Sequence, residues 1–437
     1  MTKTFKIGGI HPPSYKLSAE QKIKTAPLPE QAVLFLSQHT GKPAIPIVQK
    51  NDKVKVGQLI ARADGFMSAN VHSPVSGKIA KIDEATDVNG YRKTAIFIDV
   101  AGDEWLPEID RTDILNVTCN LNAQQIIEKI RAAGIVGLGG ATFPTHVKLT
   151  IPEGKKADVL LVNAAECEPF LSSDHRLILE KGREIMMGVH VLMKAINVRE
   201  AIVGIENNKT DAIEHLEKIS SRHLGISVLP LKVKYPQGSE KQLIEALTGK
   251  RVPSGKLPVD VGAIVVNVGT VFAVYEAVQK NKPLIESIMT VSGTAVEEPS
   301  NVCVRLGTPL ADIACFPADT AKIVVGGPMM GKALADLNTP VSKGYSALLA
   351  FPEKDARREE AQRCIRCTKC IEACPMGLEP YLLVKYAQRM MWEEMETAYI
   401  ADCIQCGCCA YSCPSHIPLL DYLRTYKFNL FKSSIVQ

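Results

Sequence analysis

Nine of the thirteen cysteines fall in two short runs late in the chain. Residues 364–374 read Cys-Ile-Arg-Cys-Thr-Lys-Cys-Ile-Glu-Ala-Cys, followed by Pro375. Residues 403–413 read Cys-Ile-Gln-Cys-Gly-Cys-Cys-Ala-Tyr-Ser-Cys, followed by Pro414. Both fit C-x2-C-x2-C-x3-C-P, the spacing at which thiolates hold a cubane 4Fe–4S cluster. The first three thiolates wrap one tight turn around a cluster face. The fourth lies too far along to close that cluster, so in a tandem arrangement it ligates the other one. The runs therefore predict one cluster on Cys364, Cys367, Cys370 and Cys413, and a second on Cys403, Cys406, Cys409 and Cys374. Structural zinc sites also use C-x2-C pairs, but a zinc ion takes four ligands. It does not need a tandem of this run with a Pro after each. Cys408, inside the second run, reads as a spare buried thiol, because Cys409 already keeps the spacing.

The first ten residues, Met-Thr-Lys-Thr-Phe-Lys-Ile-Gly-Gly-Ile, lack the apolar stretch of a signal peptide. Thirteen cysteines in that context fit a reducing compartment and metal chemistry rather than disulfides. The expected location is the cytoplasm, or the cytoplasmic face of a membrane on which partners hold the chain. No segment reaches the roughly 18 uninterrupted apolar residues of a membrane span. The nearest, Val261 to Tyr275, is broken by Asn267, Gly269 and Thr270, and reads as a buried strand running into a helix. A net charge of +4, with no basic run interleaved with aromatics, argues against nucleic acid as a partner.

The 437 residues leave room for about three domains, and the patterns change character along them. Residues 1–110 carry short β patterns and turns, with expected strand pairs at 51–60 and 71–79, and suggest a small barrel or sandwich. Residues 111–284 alternate strands, at 159–163, 201–205 and 263–267, with helices at 180–196, 208–220 and 239–248. That alternation predicts a mainly parallel α/β sheet, with ligands at the C-terminal ends of its strands. Residues 285–345 return to short strands, at 288–296 and 300–304, and suggest a small β-grasp domain. Residues 352–363 read as a charged linker or helix. The cysteine region, 346–437, is expected to be helical between its two runs, from Leu378 to Tyr399. Met390, Met391 and Met395 there are read as packing.

Gly137-Leu138-Gly139-Gly140-Ala141-Thr142-Phe143-Pro144 is the second informative stretch. Glycines let backbone N–H groups approach a phosphate, and a following helix start adds a favourable dipole. A Cβ at Gly139 or Gly140 is expected to intrude on such a ligand. The stretch is not G-x-G-x-x-G, and a tight turn explains it equally well on its own. Lys148 follows with a cation suited to a phosphate or a reduced flavin. Asn163-Ala164-Ala165-Glu166-Cys167-Glu168-Pro169 comes at the end of an expected strand, where its two acids suit ring N–H groups or ribose hydroxyls.

These stretches, with Tyr235-x-x-Gly238-x-Glu240 and Asn267-Val268-x-Thr270, resemble the flavin subunit of respiratory complex I. The resemblance implies FMN contacts from Gly137, Gly139, Gly140, Lys148, Asn163, Tyr235, Gly238, Asn267 and Thr270. It implies nicotinamide-nucleotide contacts from Phe143, Glu166, Glu168 and Glu240. The chain departs from that family where Leu138 replaces an Arg and Ala165 an Asp, and where an aromatic near Ile151 is missing. Over its whole length, from Gly8-Gly9-Ile10-His11-Pro12-Pro13 through both cysteine runs, it resembles the RnfC family, the C-type component of the Rnf (Rsx) complexes. Residues 1–110 also resemble the barrel-sandwich fold of biotinyl and lipoyl carriers. The turn Gly65-Phe66-Met67-Ser68-Ala69-Asn70 has no Lys to modify, so a structural or docking role is expected.

The Rnf resemblance implies a peripheral subunit on the cytoplasmic side of the membrane, with membrane-bound A-, D-, E- and G-type partners and a ferredoxin-like B-type partner. It implies electron transfer between ferredoxin and NAD(H) through FMN and two 4Fe–4S clusters, coupled to sodium or proton movement, with no covalent catalytic side chain. Two readings compete with it. One is a soluble corrinoid (cobalamin) reductase of bacterial microcompartments, whose members begin at the flavin domain. The other is a non-enzymatic iron–sulfur relay.

Overall fold

The computed structural model describes residues 2–426. The N-terminal unit is a sandwich of two antiparallel sheets. One orders Gln31–Phe35, Arg92–Val100, Gly77–Thr86 and Lys53–Val54; the other orders Ile45–Pro46, Leu59–Arg62 and Val71–His72. Each strand pair expected at 51–60 and 71–79 is split between the two sheets rather than forming one hairpin. Residues 2–30 do not belong to this sandwich. Lys3 and Ile10 bridge to Leu231 and Tyr235, and Ile23–Thr25 joins another sheet.

The central unit is a four-stranded parallel sheet. Its strands are β1 (Val159–Ala164), β2 (Glu200–Glu206), β3 (Ile226–Leu231) and β4 (Ala263–Asn267), in the order β3-β2-β1-β4. Its helices are α1 (Ala123–Ala132), α2 (Thr145–Leu149), α3 (Ser173–Ala195), α4 (Thr210–Ser220), α5 (Glu240–Thr248) and α6 (Val268–Gln279). Alternate residues of β1 enter different cores. Leu160, Val162 and Ala164 pack under α3 and α6, while Val159 and Leu161 pack with Leu243 and Leu247 of α5. Both faces are covered, which is why the strand reads as one apolar run. At Gly188 of α3, an added Cβ would sit 2.4 Å from the Val271 carbonyl oxygen. This close approach fixes α6, whose N-terminus forms part of the site below.

The third unit is a six-stranded mixed sheet ordered Ile23–Thr25, Ser300–Arg305, Glu286–Ser292, Ala347–Pro352, Thr320–Val325 and Lys332–Ala333. It runs on to Pro352, past the expected end at 345, because Ala347–Pro352 is an interior strand rather than a linker. After a short helix, Glu353–Ala356, the expected linker has no further helix. Between the cysteine runs lie two helices, Pro380–Gln388 and Trp392–Thr397. Of the three methionines there, Met395 is fully buried, while Met390 is exposed.

Charged groups join the units. Arg305 of the third sheet pairs with Asp103 at 2.9 Å and stacks on Trp105, both in the segment leaving the sandwich. Lys343, fully buried, donates to the Asn70 and Gly134 carbonyls at 2.7 and 2.8 Å. Burial pushes its pKa down to about 7, where a neutral amine still has two protons for two acceptors.

Candidate functional site

Strand order reverses at β1, which has β2 on one side and β4 on the other. The crevice outside the C-terminal ends of β1 and β4 is therefore the topological switch point where open α/β sheets bind ligands. The structure brings most of the predicted residues there. Asn163, next to last in β1, lies in register beside Asn267, which ends β4. Asn267 caps α6, accepting from the Gly269 and Thr270 amides at 2.9 and 3.3 Å. The glycine loop folds over this corner. Gly137 N–H donates to the Phe143 carbonyl at 2.9 Å, and Leu138 N–H to Thr270 Oγ1 at 2.8 Å. Phe143 is half-buried beneath the loop.

Gly139 and Gly140 are exposed. An added Cβ at Gly140 would meet no protein atom within 4 Å, although its φ of +114° disfavours any side chain. A Cβ at Gly139 would lie 3.4 Å from Asn267 Cβ, ordinary contact. The space above the loop is open, as a cradle for a ligand requires. The helix that follows, α2, has only five residues, too short to supply the expected dipole. The twelve-residue α6 is the helix whose N-terminus faces this corner.

Segment 235–240 reaches both chemical centres. Asn163 Nδ2 donates to the Gly238 carbonyl at 2.7 Å, and Lys148 Nζ to Glu240 Oε1 at 2.7 Å. At its other end Tyr235, expected at the flavin, is buried and donates its hydroxyl to the Cys406 carbonyl at 2.8 Å. The two acids of the 163–169 motif also part company. Glu166 is buried; its Oε1 accepts from the Asp174 amide at 2.9 Å, while Oε2 has no partner. That oxygen is closed off from solvent as well as from donors. Asp174 completes this corner, accepting from Asn267 Nδ2 at 2.8 Å. Burial and the neighbouring Glu166 push its pKa up to about 7. Glu168, expected at the nucleotide, is turned away. Its two oxygens accept the Met329 and Met330 amides of the third unit, both at 3.0 Å, and burial raises its pKa to about 7.

The two cysteine runs are interleaved in space. Cys374 lies within electrostatic reach of Cys406, and Cys409 within reach of Cys403, Cys406 and Cys374. These four line one small apolar cavity. Cys370 neighbours Cys364 and Cys413 instead. Cys408 also lines the cavity, fully buried, with its Sγ 3.9 Å from the Tyr235 carbonyl. Among the described residues, no three His, Cys, Asp or Glu side chains converge as ligands of a single ion do. A cubane takes each thiolate on a different iron. No disulfide forms among the described residues.

The carrier-like turn docks on the glycine loop's unit. His146 Nε2 donates to the Phe66 carbonyl at 3.0 Å, and Thr40 Oγ1 to that of Ala141 at 2.8 Å. Asp174, Thr40 and Lys16 (below) carry no sequence signal of their own, because each meets the site through a contact between distant segments.

Residues 3–103 match the RnfC barrel sandwich hybrid domain, residues 130–276 the Nuo51 FMN-binding domain, and residues 360–417 a 4Fe-4S dicluster domain. The chain is 44% identical over 405 residues to the C component of the proton-translocating ferredoxin:NAD(+) oxidoreductase complex of Clostridium ljungdahlii, covering 91% of this chain and 88% of that protein. The chain belongs to the RnfC family of these ion-translocating complexes. A second member, the C component of the Na(+)-translocating ferredoxin:NAD(+) oxidoreductase complex of Acetobacterium woodii, is 41% identical, covering 91% of this chain and 90% of its own. The family's barrel, FMN and dicluster domains thus account for the sandwich, the parallel sheet and the cysteine region. A chain of an NAD+-reducing [NiFe]-hydrogenase in the H2-reduced state shares the fold at a TM-score of 0.51. It is 20% identical, covering 70% of this chain and 63% of that one.

Proposed function

We propose that this chain is the NAD-reacting peripheral subunit of an Rnf-type complex, passing electrons between 4Fe–4S clusters, FMN and NAD(H), with ion translocation left to membrane partners. The observation that carries this reading is the bridge made by segment 235–240. One end touches Asn163 and Lys148 at the switch point, and the other touches the carbonyl of Cys406. FMN, when bound, supplies the exchange between hydride and single electrons that NAD and clusters respectively require.

The chain's own residues bind and orient. Gly137, Gly139, Gly140, Asn163, Gly238, Asn267 and Thr270 form the flavin cradle, with Lys148 at its edge. Phe143, Glu166 and Glu240 border the nucleotide. Glu168 and Tyr235 are reassigned: they fix the third unit and the cluster loop against this site rather than contacting a nucleotide. Cys374, Cys403, Cys406 and Cys409 hold the cluster nearer the flavin; Cys364, Cys367, Cys370 and Cys413 hold the other, which faces the electron-exchanging partner. Regions 1–110, 111–284, 285–345 and 346–437 are the working domains, the third with a β-grasp core extended to Pro352.

Among the described residues no helix is long and apolar enough to cross a membrane. The partners proposed are the A-, D-, E- and G-type membrane subunits and the ferredoxin-like B-type subunit, met on the cytoplasmic face. Fractionating native cells tests this. The chain is expected in the membrane fraction and to be released by salt or mild detergent more readily than an integral protein. Recovery wholly in the soluble fraction would favour the corrinoid-reductase reading.

A further inference from the structure

The loop that follows β1 has left its sheet, and three of its carbonyls converge on one cation. Lys16 Nζ donates to the carbonyl oxygens of Glu166, Glu168 and Leu171 at 2.7, 2.8 and 2.7 Å. An ammonium has three protons, so this cage satisfies it fully. The residue as a whole is half-buried, but burial of its ammonium holds the pKa below the ordinary lysine range, and Glu166 opposes that shift. The segment around Lys16 is itself clamped to the same loop. Phe170 N–H donates to the Ser14 carbonyl at 2.9 Å, and Tyr15 stacks on Phe170 with ring centroids 5.0 Å apart. Ser18 Oγ meets Ser172 Oγ at 2.6 Å, and Asn301 of the third sheet donates to the Ser18 carbonyl at 2.8 Å.

This arm precedes the barrel, yet it decides the path of residues 166–171. Of the two acids it holds, Glu166 keeps a buried oxygen with no partner and Glu168 has both oxygens engaged. A peptide pinned at both carbonyls cannot rotate to exchange these roles. The cation also lies close enough to Glu166 to offset part of its charge.

We propose that Lys16 is a positioning residue for the nicotinamide nucleotide: its three-carbonyl cage fixes the 166–171 loop and so holds Glu166 at the border of the nucleotide site. This rests on the nucleotide reading of the switch-point site. The flavin cradle is built from the glycine loop, Asn163, Gly238, Asn267 and Thr270, with Lys148 at its edge, and Lys16 hydrogen-bonds none of these, so flavin retention is expected to be independent of it.

The test uses the full chain with its cofactors, comparing wild type with Lys16→Met and Lys16→Gln. Calorimetric Kd for NAD+, KM and kcat for NADH-dependent dye reduction, flavin content and thermal midpoint are measured on the same preparations. Lys16→Met should weaken NAD+ binding and raise KM for NADH about tenfold, with kcat changed less than about threefold. Flavin content should stay at the wild-type value, while the thermal midpoint falls because three carbonyls lose their donor. Lys16→Gln, which keeps two donors, should fall between, and it carries the comparison if the Met variant does not fold. Unchanged Kd and KM would overturn the proposal. Loss of flavin in parallel with affinity would also overturn it, showing a merely structural arm. Failure of the wild type itself to bind NAD+ would sink the nucleotide reading, and the proposal with it.

Discussion

Replacing Cys374 by Ala should remove the cluster shared with Cys403, Cys406 and Cys409 and leave the cluster of its own run intact. Cys374 follows Cys370 by four residues, yet the two have different cysteine neighbours. Cys374 lines the cavity with the second run, while Cys370 neighbours Cys364 and Cys413. Cys370 lies within the short helix Lys369–Glu372, and Cys374 two residues beyond its end. Iron should fall from about eight to about four per chain. One of two cluster EPR signals should disappear, and flavin content should stay unchanged. Loss of the signal assigned to Cys364, Cys367 and Cys370 would overturn the crossed ligation. The companion variant Cys413→Ala should show the reverse pattern, so unequal stability of the two sites cannot mimic the result.

The second large effect is expected at Gly139. Its neighbour Gly140 has φ +114°, so any substitution there strains the backbone with or without a ligand. Gly139 has no such constraint, and its added methyl would make ordinary contact with Asn267. Gly139→Ala should therefore fold normally and lose flavin only by intruding on the cradle. Losing one charge-assisted hydrogen bond to a phosphate costs roughly 1.5–3 kcal/mol, or about one to two decades of affinity. Flavin content and NADH-dependent dye reduction should fall together by at least that factor, while both cluster signals remain. Full retention of flavin and activity would reduce the glycine loop to a turn.

The parts of this arrangement legible in the sequence are those whose determinants lie within a few residues of one another. The two cysteine runs point to a 4Fe-4S dicluster domain by spacing alone. β1, β2 and β4 show as apolar runs because a parallel sheet covered on both faces buries nearly every residue. The strand Ile226–Leu231 is less visible, with Ser227 exposed and Leu229 and Pro230 half-buried at the sheet edge. Motif alone puts Glu168 and Tyr235 at the nucleotide and flavin, but their partners, Met329, Met330 and Cys406, lie more than 150 residues away in sequence. Nothing local distinguishes Glu166, with its unpartnered oxygen, from Glu168, turned two residues later toward another unit. Lys16 is equally silent, since a lysine between Tyr15 and Leu17 reads as a solvated surface residue until the 166–171 loop is folded around it.

The most direct test of two clusters and a flavin on one chain is cofactor extraction from a single anaerobically purified sample. Expected are one FMN, about eight irons and about eight acid-labile sulfides per chain. Zinc in place of iron, or iron and sulfide without flavin, would contradict the assignment.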